Sequence, residues 1–262
     1  MYGLSMSIEE TINQIRKENK KVVTNIYTKL EEGKTKVDGI DCKQGSYIVL
    51  FKPERDYHRM YYCFPRDAVI EGLHIPEGSC VCNVLSRNHA DVEENVETFL
   101  NSYSFKTHAI WEKWESASPV YETTDLEQGY QVSEKWDWEM CQMLNEHFDT
   151  YSDELPTEDS FSAFMGEKRT IRVQRGGNTV AFFVYHQNGR VMEGDYLYVI
   201  PQARKMNLAS AIYRIWFEQN RDEHSRYVVW IRNDNVASMK FHIKHGFHKT
   251  GIKNTVFLKE TQ

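Results

Sequence analysis

The sequence predicts an α/β (α+β) chain folded as two domains, on three observations. Short runs rich in β-branched and aromatic residues alternate with stretches of helical spacing along the chain. Residues 115–125, ESASPVYETTD, lack either period and carry small residues and a proline, which reads as a boundary between domains 1–119 and 120–262. A chain of 262 residues with 40% hydrophobic and 13% aromatic side chains is large enough to build both cores.

Taken in order, Ile8, Ile12, Ile15, Val22, Val23, Ile26 and Leu30 give an apolar stripe that predicts a helix over 7–31. Ser7 with Glu10 makes a capping box and Gly33 a stop. SYIVLFK (46–52) and HRMYYCF (58–64) read as two strands joined by a proline-containing turn, and CVCNVLS (80–86) as a third. Val92, Val96 and Phe99 mark a helix, and 106–114 reads as extended. Beyond the boundary, 136–148 reads as a helix and a shorter one follows Leu155-Pro156-Thr157. Residues 170–200 read as three strands with turns at Gly176-Gly177-Asn178 and Asn188-Gly189. Pro201 stops the last of these, and Leu208, Ile212, Ile215 and Trp216 open a helical period. A strand at 227–232, a helix at 235–245 and a closing hairpin at 247–258 around Lys253-Asn254 complete the chain. Two short echoes link the halves: residues 60–66 with 196–202, offset 136, and residues 99–105 with 241–247, offset 142.

Charge narrows the function classes. The net charge of −6 speaks against a nucleic-acid-binding chain. Residues 201–262 nevertheless hold 11 Lys+Arg against 5 Asp+Glu, a local basic balance that fits a small polyanion. Residues 122–159 hold 12 carboxylates and only Lys135 among Lys and Arg, which reads as a solvated acidic face or as an attractor for a cationic acceptor. Trp136, Trp138, Tyr151 and Phe161 line the same site or pack in the core. No stretch is apolar for the roughly 18 residues a bilayer requires, and the N-terminus has no signal-peptide core, so no membrane association and a cytoplasmic location are expected. Five cysteines without a CxxC pair predict no metal. Cys80 and Cys82, two apart, read as small buried groups on one strand face.

The strand–turn–helix at 196–219 aims free backbone N–H groups and a helix dipole at one place, a setting that suits an anion. Its residues Leu197 to Ala209, LYVIPQARKMNLA, resemble the L-x-V-x-P-x-x-R-x-x-G-x-A signature of the GNAT N-acetyltransferases. Asn235-Val236-Ala237-Ser238 through Lys244-His245-Gly246-Phe247 resembles their second signature, N-x-x-S-x(5)-K-x-G-F, 26 residues further on with a strand between. The resemblance covers 120–262 and reaches 1–119 only through the internal echo. It implies a GNAT-like twisted mixed sheet flanked by helices, in two tandem GNAT-like domains.

The resemblance also implies acetyl-CoA as acyl donor, with no metal. Backbone amides at Arg204, Lys205, Met206, Asn207, Leu208 and Ala209 would cradle its pyrophosphate. Tyr198 and Val199 would run beside the pantetheine arm, with Asn235 and Ser238 also near the donor. The strand at 227–232 would splay from its neighbour to leave a slot for the thioester. The acceptor would be a primary amine on a small molecule or a peptide, and the protein a monomer or homodimer. Direct transfer needs a base and an acid. Glu193 and Asp195 are candidates for the base, or are hairpin-edge carboxylates. His242, seven residues after the signature asparagine where the family often has a tyrosine, is a candidate acid or a core histidine. Asn207 stands where the signature has glycine. It tolerates positive φ, but its side chain would crowd the anion. A tandem aminoacyl or other acyl transferase, and a CoA- or partner-binding protein without turnover, are the alternatives.

Overall fold

The structure, a computed structural model, describes residues 7–27, 36–38, 47–121, 126–221 and 226–261. The chain forms a mixed α/β fold of two compact units. One takes Met1–Ile110 together with Ile252–Gln262, the other Trp111–Gly251. A division by sequence position alone, at 119/120, leaves the last eleven residues with the second unit. The contacts give them to the first.

The first unit opens with α1 (Ile8–Glu18), whose Ser7 capping box is present in both directions. The helix predicted to reach residue 31 ends at Glu18. Asn19 leaves helical dihedrals while its backbone N–H and Nδ2 both donate to Ile15 O. The β-branched Val22-Val23-Thr24 then form β1, paired antiparallel with β4 (Tyr57–Pro65). Leu30, the predicted stop Gly33, and Cys42 lie outside the described residues. The strands β2 (Lys36–Asp38), β3 (Ile48–Pro53), β4, β5 (Ser79–Ser86) and β12 (His248–Lys259) lie side by side in that order, with α2 (Glu94–Ser102) following β5. The closing hairpin expected around Lys253-Asn254 is one uninterrupted strand. Lys253 and Asn254 occupy ordinary ladder positions opposite Ser86 and Leu85, so a turn-like dipeptide is straightened by its partner strand. Cys80 and Cys82 are fully buried among Val49, Phe51, Met60 and Phe64.

The second unit orders its strands as β6 (Lys106–Ser116, whose residues 111–116 fall here), β11 (Arg226–Arg232), β10 (Val191–Val199), β9 (Asn178–Asn188), β8 (Arg169–Arg175) and β7 (Tyr130–Ser133). The helices α3 (Trp138–His147) and α4 (Glu158–Gly166) start at Asp137 and Thr157, each side chain accepting from a backbone N–H three residues on. They cover one face of the sheet, packing on Phe182, Val184, Tyr196 and Tyr198. On the other face α5 (Leu208–Gln219) places Tyr213, Trp216 and Phe217 against Phe183, Tyr185 and Tyr227. Trp216 lies edge-on to Phe183 at 4.7 Å and to Tyr227 at 5.0 Å, contacts that add about 1 kcal/mol each to the area they bury. α6 (Val236–Lys244) follows β11.

β10 and β11 are paired parallel from Val191↔Arg226 to Gly194↔Val229. At the same place β10 shifts register against β9, from Gly194↔Tyr185 to Tyr196↔Val184, leaving Asp195 as an extra residue. Gly194 is required there. A Cβ would sit 2.7 Å from Phe183 Cζ and 3.2 Å from Val229 Cγ1, and Phe183 is held by Tyr185, Tyr213 and Trp216. Gly194→Ala should therefore lower the urea-unfolding free energy by about 2 kcal/mol, the cost of overpacking a filled core. An unchanged midpoint would show that the ring has room.

Candidate active site

Beyond Gly194 and Val229 the two strands continue without pairing to each other, β10 to Val199 and β11 to Arg232. The opening so formed leads to a single 3-10 turn, Pro201–Ala203, and then to α5. The turn before α5 is built from Arg204 in extended geometry, Lys205 at φ 68° and Asn207 at φ 55°, both in the left-handed region. Asn207 adopts the conformation for which glycine is the usual residue, and asparagine is among the least strained substitutes. Its side chain makes no cap bond, in contrast to the caps at Ser7, Asp137, Thr157 and Asn235. The first amides of α5 thus lack intrahelical acceptors by geometry and have no side-chain cap, and Arg204, Lys205, Met206 and Asn207 around them are exposed. A fan of backbone donors with two cations at its rim suits a phosphate group. Arg204 also reaches back, donating Nε–H to Val199 O at 3.4 Å. Met206 Sδ accepts from the Tyr130 hydroxyl at 3.1 Å, and Leu208 is buried under the turn. Ala209 is half-buried in the first turn of α5. Tyr198 points to the opposite face of the sheet, stacked on His147 at 4.6 Å.

At the point where the strands part, Glu193 and Asp195 both meet His186 of β9. Asp195 Oδ2 lies 3.0 Å from His186 Nδ1 and 3.1 Å from Lys168 Nζ. Glu193 Oε2 lies 4.0 Å from His186 Nε2, and Glu193 Oε1 accepts the indole N–H of Trp230 on β11 at 3.0 Å. Lys168, which has donors only, lies 3.2 Å from His186 Nδ1 as well. Nδ1 of His186 thus faces both the Asp195 carboxylate and the Lys168 ammonium, and the three side chains form one linked cluster beside Glu193. All four side chains are partly buried, with exposures of 16 to 26%. Glu193 is thus a carboxylate fixed at the mouth of the opening by Trp230, with His186 behind it. Lys168, His186 and Trp230 carry no motif of their own. Only the pairing that sets His186 opposite Glu193 reveals them.

The second signature has a local structural reading. Asn235 Oδ1 accepts from Ser238 N at 3.0 Å and starts α6. Gly246, at φ 80°, ends it, and Phe247 closes into the core with its N–H on His242 O. His242 itself is 5% exposed. Its Nδ1 lies 2.8 Å from Ser238 O, and a carbonyl only accepts, so Nδ1 carries the proton. Nε2 then accepts from the Tyr213 hydroxyl at 2.8 Å. Both ring nitrogens are engaged inside the core. Burial pushes the His242 pKa down to about 4, against the smaller opposing pull of the Ser238 carbonyl.

Residues 125–247 match the model of the acetyltransferase (GNAT) family. The C-terminal half is a GNAT domain. Structures resembling the chain have the same fold at low identity. A tandem GNAT protein from the clavulanic acid biosynthesis pathway is 9% identical with TM-score 0.56, over 98% of this chain and 96% of that one. A GCN5-related N-acetyltransferase from Sphaerobacter thermophilus is 9% identical with TM-score 0.56, over 83% and 78%. A Drosophila protein is 13% identical with TM-score 0.59, over 82% and 75%. No curated protein sequence matches the chain. In the GNAT domain the described residues hold no group of three or more His, Cys, Asp or Glu placed to bind a metal ion. No described helix is long and apolar enough to cross a membrane.

The depressed pKa makes the buried His242 ring a source of pH-dependent stability. The folded state keeps the ring neutral down to about pH 4, whereas the unfolded chain takes up a proton near pH 6.5. Stability from this residue is complete above pH 6.5 and is lost as pH falls toward 4, by about 3 kcal/mol in all. His242→Gln should flatten that acid limb in urea titrations between pH 7 and pH 4. An identical slope in the variant would show that the histidine is protonated or solvated in the folded state.

Proposed function

We propose that the GNAT domain transfers an acetyl group from acetyl-CoA directly to a primary amine. One observation carries the reading: β10 and β11 part after Gly194 and Val229, and the same strand β10 runs on to the uncapped, cation-rimmed start of α5. The residues fit the donor. The α5 amides with Arg204 and Lys205 hold its pyrophosphate, and the backbone of Tyr198 and Val199 lies beside its arm. Acetyl-CoA supplies the activated thioester when bound. Glu193, held in place by Trp230, takes the proton of the incoming ammonium, and His186 with Asp195 and Lys168 balances the charge that this transfer moves. The neutral amine then forms the C–N bond as the C–S bond breaks. The nitrogen's surplus proton passes to the departing sulfur. His242 stands outside this path, because its one proton is bound to Ser238 O in the core. The acceptor is a cationic amine, small or peptidic, drawn by the carboxylate-rich sequence of 122–159. We place the protein in the cytoplasm and read the first unit as a second, diverged GNAT-like domain.

Two measurements test this. Calorimetric titration with acetyl-CoA should give saturable binding, weakened about tenfold or more by Arg204→Ala with Lys205→Ala and tightened a few-fold by Asn207→Gly, whose carboxamide no longer crowds the anion. No heat at millimolar donor would sink the proposal. With an amine panel and acetyl-CoA, Glu193→Gln should lower kcat by about 100-fold or more at unchanged donor affinity, the usual scale for removing a positioned base. Binding without turnover of any amine would favour the alternative reading of a CoA-binding protein that does not transfer, which the burial of His242 also supports.

A further inference from the structure

The first unit repeats the strand arrangement that makes the opening in the second, and then fills it. There β3 and β4 form an antiparallel pair and β5 joins β4 in parallel, from Tyr57↔Ser79 to Arg59↔Val81. Past Arg59 and Val81 the two strands are no longer paired with each other, as β10 and β11 are not past Gly194 and Val229. The edge of β4 left over is taken by the chain's own β1. Cys63 pairs with Ile48 of β3 on one side and with Thr24 of β1 on the other, so β1 lies on the edge that β5 has left.

Asn25, directly after β1, closes the remaining gap. Its side chain is buried at 5% exposure. Nδ2 donates to Met60 O on β4 and to Asn83 O on β5, each at 3.0 Å, and Oδ1 accepts from Tyr62 N at 2.7 Å. Its backbone N–H donates to Tyr62 O at 3.2 Å. One carboxamide thus uses two donors and an acceptor to join two strands that have parted. In the second unit no hydrogen bond among the described residues joins Leu197–Val199 to β11. A second difference points the same way. Between β10 and β11 the chain forms α5 with its open N-terminus, whereas between β4 and β5 residues 66–78 form neither helix nor strand and offer no fan of amides.

We propose that the first unit is liganded by its own chain: Asn25 stands where the amide of a bound donor would lie, so each chain takes one acyl donor, in the second unit only. This rests on the reading of the second unit as the donor site. The first unit then serves as a closed scaffold.

The test has two arms. Calorimetry of the full chain with acetyl-CoA should give one site per chain, and Arg204→Ala with Lys205→Ala should weaken that one site about tenfold or more. Two sites, or a site of unchanged affinity in that variant, would overturn the inference. Amide hydrogen exchange reads the first unit independently of any donor. The Tyr62 amide should exchange as slowly as paired amides of β4 and be unmoved by acetyl-CoA. In Asn25→Ala it should exchange at least about tenfold faster, the scale of one lost buried hydrogen bond. A Tyr62 amide that exchanges as an open one in the unaltered protein, or that gains protection with acetyl-CoA, would overturn the inference. Absence of all binding with a protected Tyr62 would sink the donor reading of the second unit and leave the filled first unit standing. Should Asn25→Ala not fold, the unaltered protein with and without donor decides.

Discussion

The parting of two parallel strands governs the GNAT domain. A parallel ladder that continued past Gly194↔Val229 would satisfy the backbone and leave nowhere for a ligand. The bulge at Asp195 breaks it by moving β10 one residue out of step, and the missing Cβ of Gly194 lets Phe183 come up beneath the break. From this single irregularity follow the open strand ends, the convergence of Glu193 and Asp195 on His186, and the direct run of β10 into the turn before α5. The large aromatic cluster under α5 holds the break in place. Trp216, Phe183 and Tyr213 fill the face on which the two strands still share side-chain packing.

Backbone groups of a split sheet must find partners, because each one left buried and unpaired costs about 1–3 kcal/mol. The chain holds two solutions to that constraint. In the first unit β1 and the carboxamide of Asn25 supply the partners from within. In the second the strand ends face an opening whose far end carries exposed Arg204, Lys205 and Asn207. Two non-glycine residues held at positive φ store about 1 kcal/mol each, and such strain persists where the surrounding structure enforces it. Here the rigid packing of Ala203 and Leu208 on either side enforces it.

Much of this was legible in the sequence, and what was not shares one cause. The strands of 170–200, their two glycine turns and the cap at Ser7 are local signals, and local chemistry decided them. The two signatures gave the family and pointed to the turn before α5. The failures all required a distant partner. Val22 and Val23 fit a helical stripe because nothing local shows their pairing with Pro65 and Phe64, about forty positions away. Lys253-Asn254 looks like a turn until β5 is set beside it. The return of residues 252–262 to the first unit leaves no trace in composition. His186, Lys168 and Trp230 surround Glu193 only because β8, β9 and β11 bring them there, and Asn25 has no motif at all.

His242 shows how a signature position changes its chemistry without changing its place. A proton donor for a leaving thiolate needs a proton that is free to move and a path to the site. In this chain the ring proton is bound to a carbonyl one turn back on α6, and the other nitrogen receives the Tyr213 hydroxyl from α5. The phenol is itself deeply buried, and desolvation pushes its pKa upward, so it holds its proton firmly. Ser238, His242 and Tyr213 therefore form a neutral chain of hydrogen bonds that fastens α6 to α5. The histidine fixes α6, the helix that follows β11, against α5. It thereby sets the spacing of the two elements that flank the opening, and a charge on it would separate them.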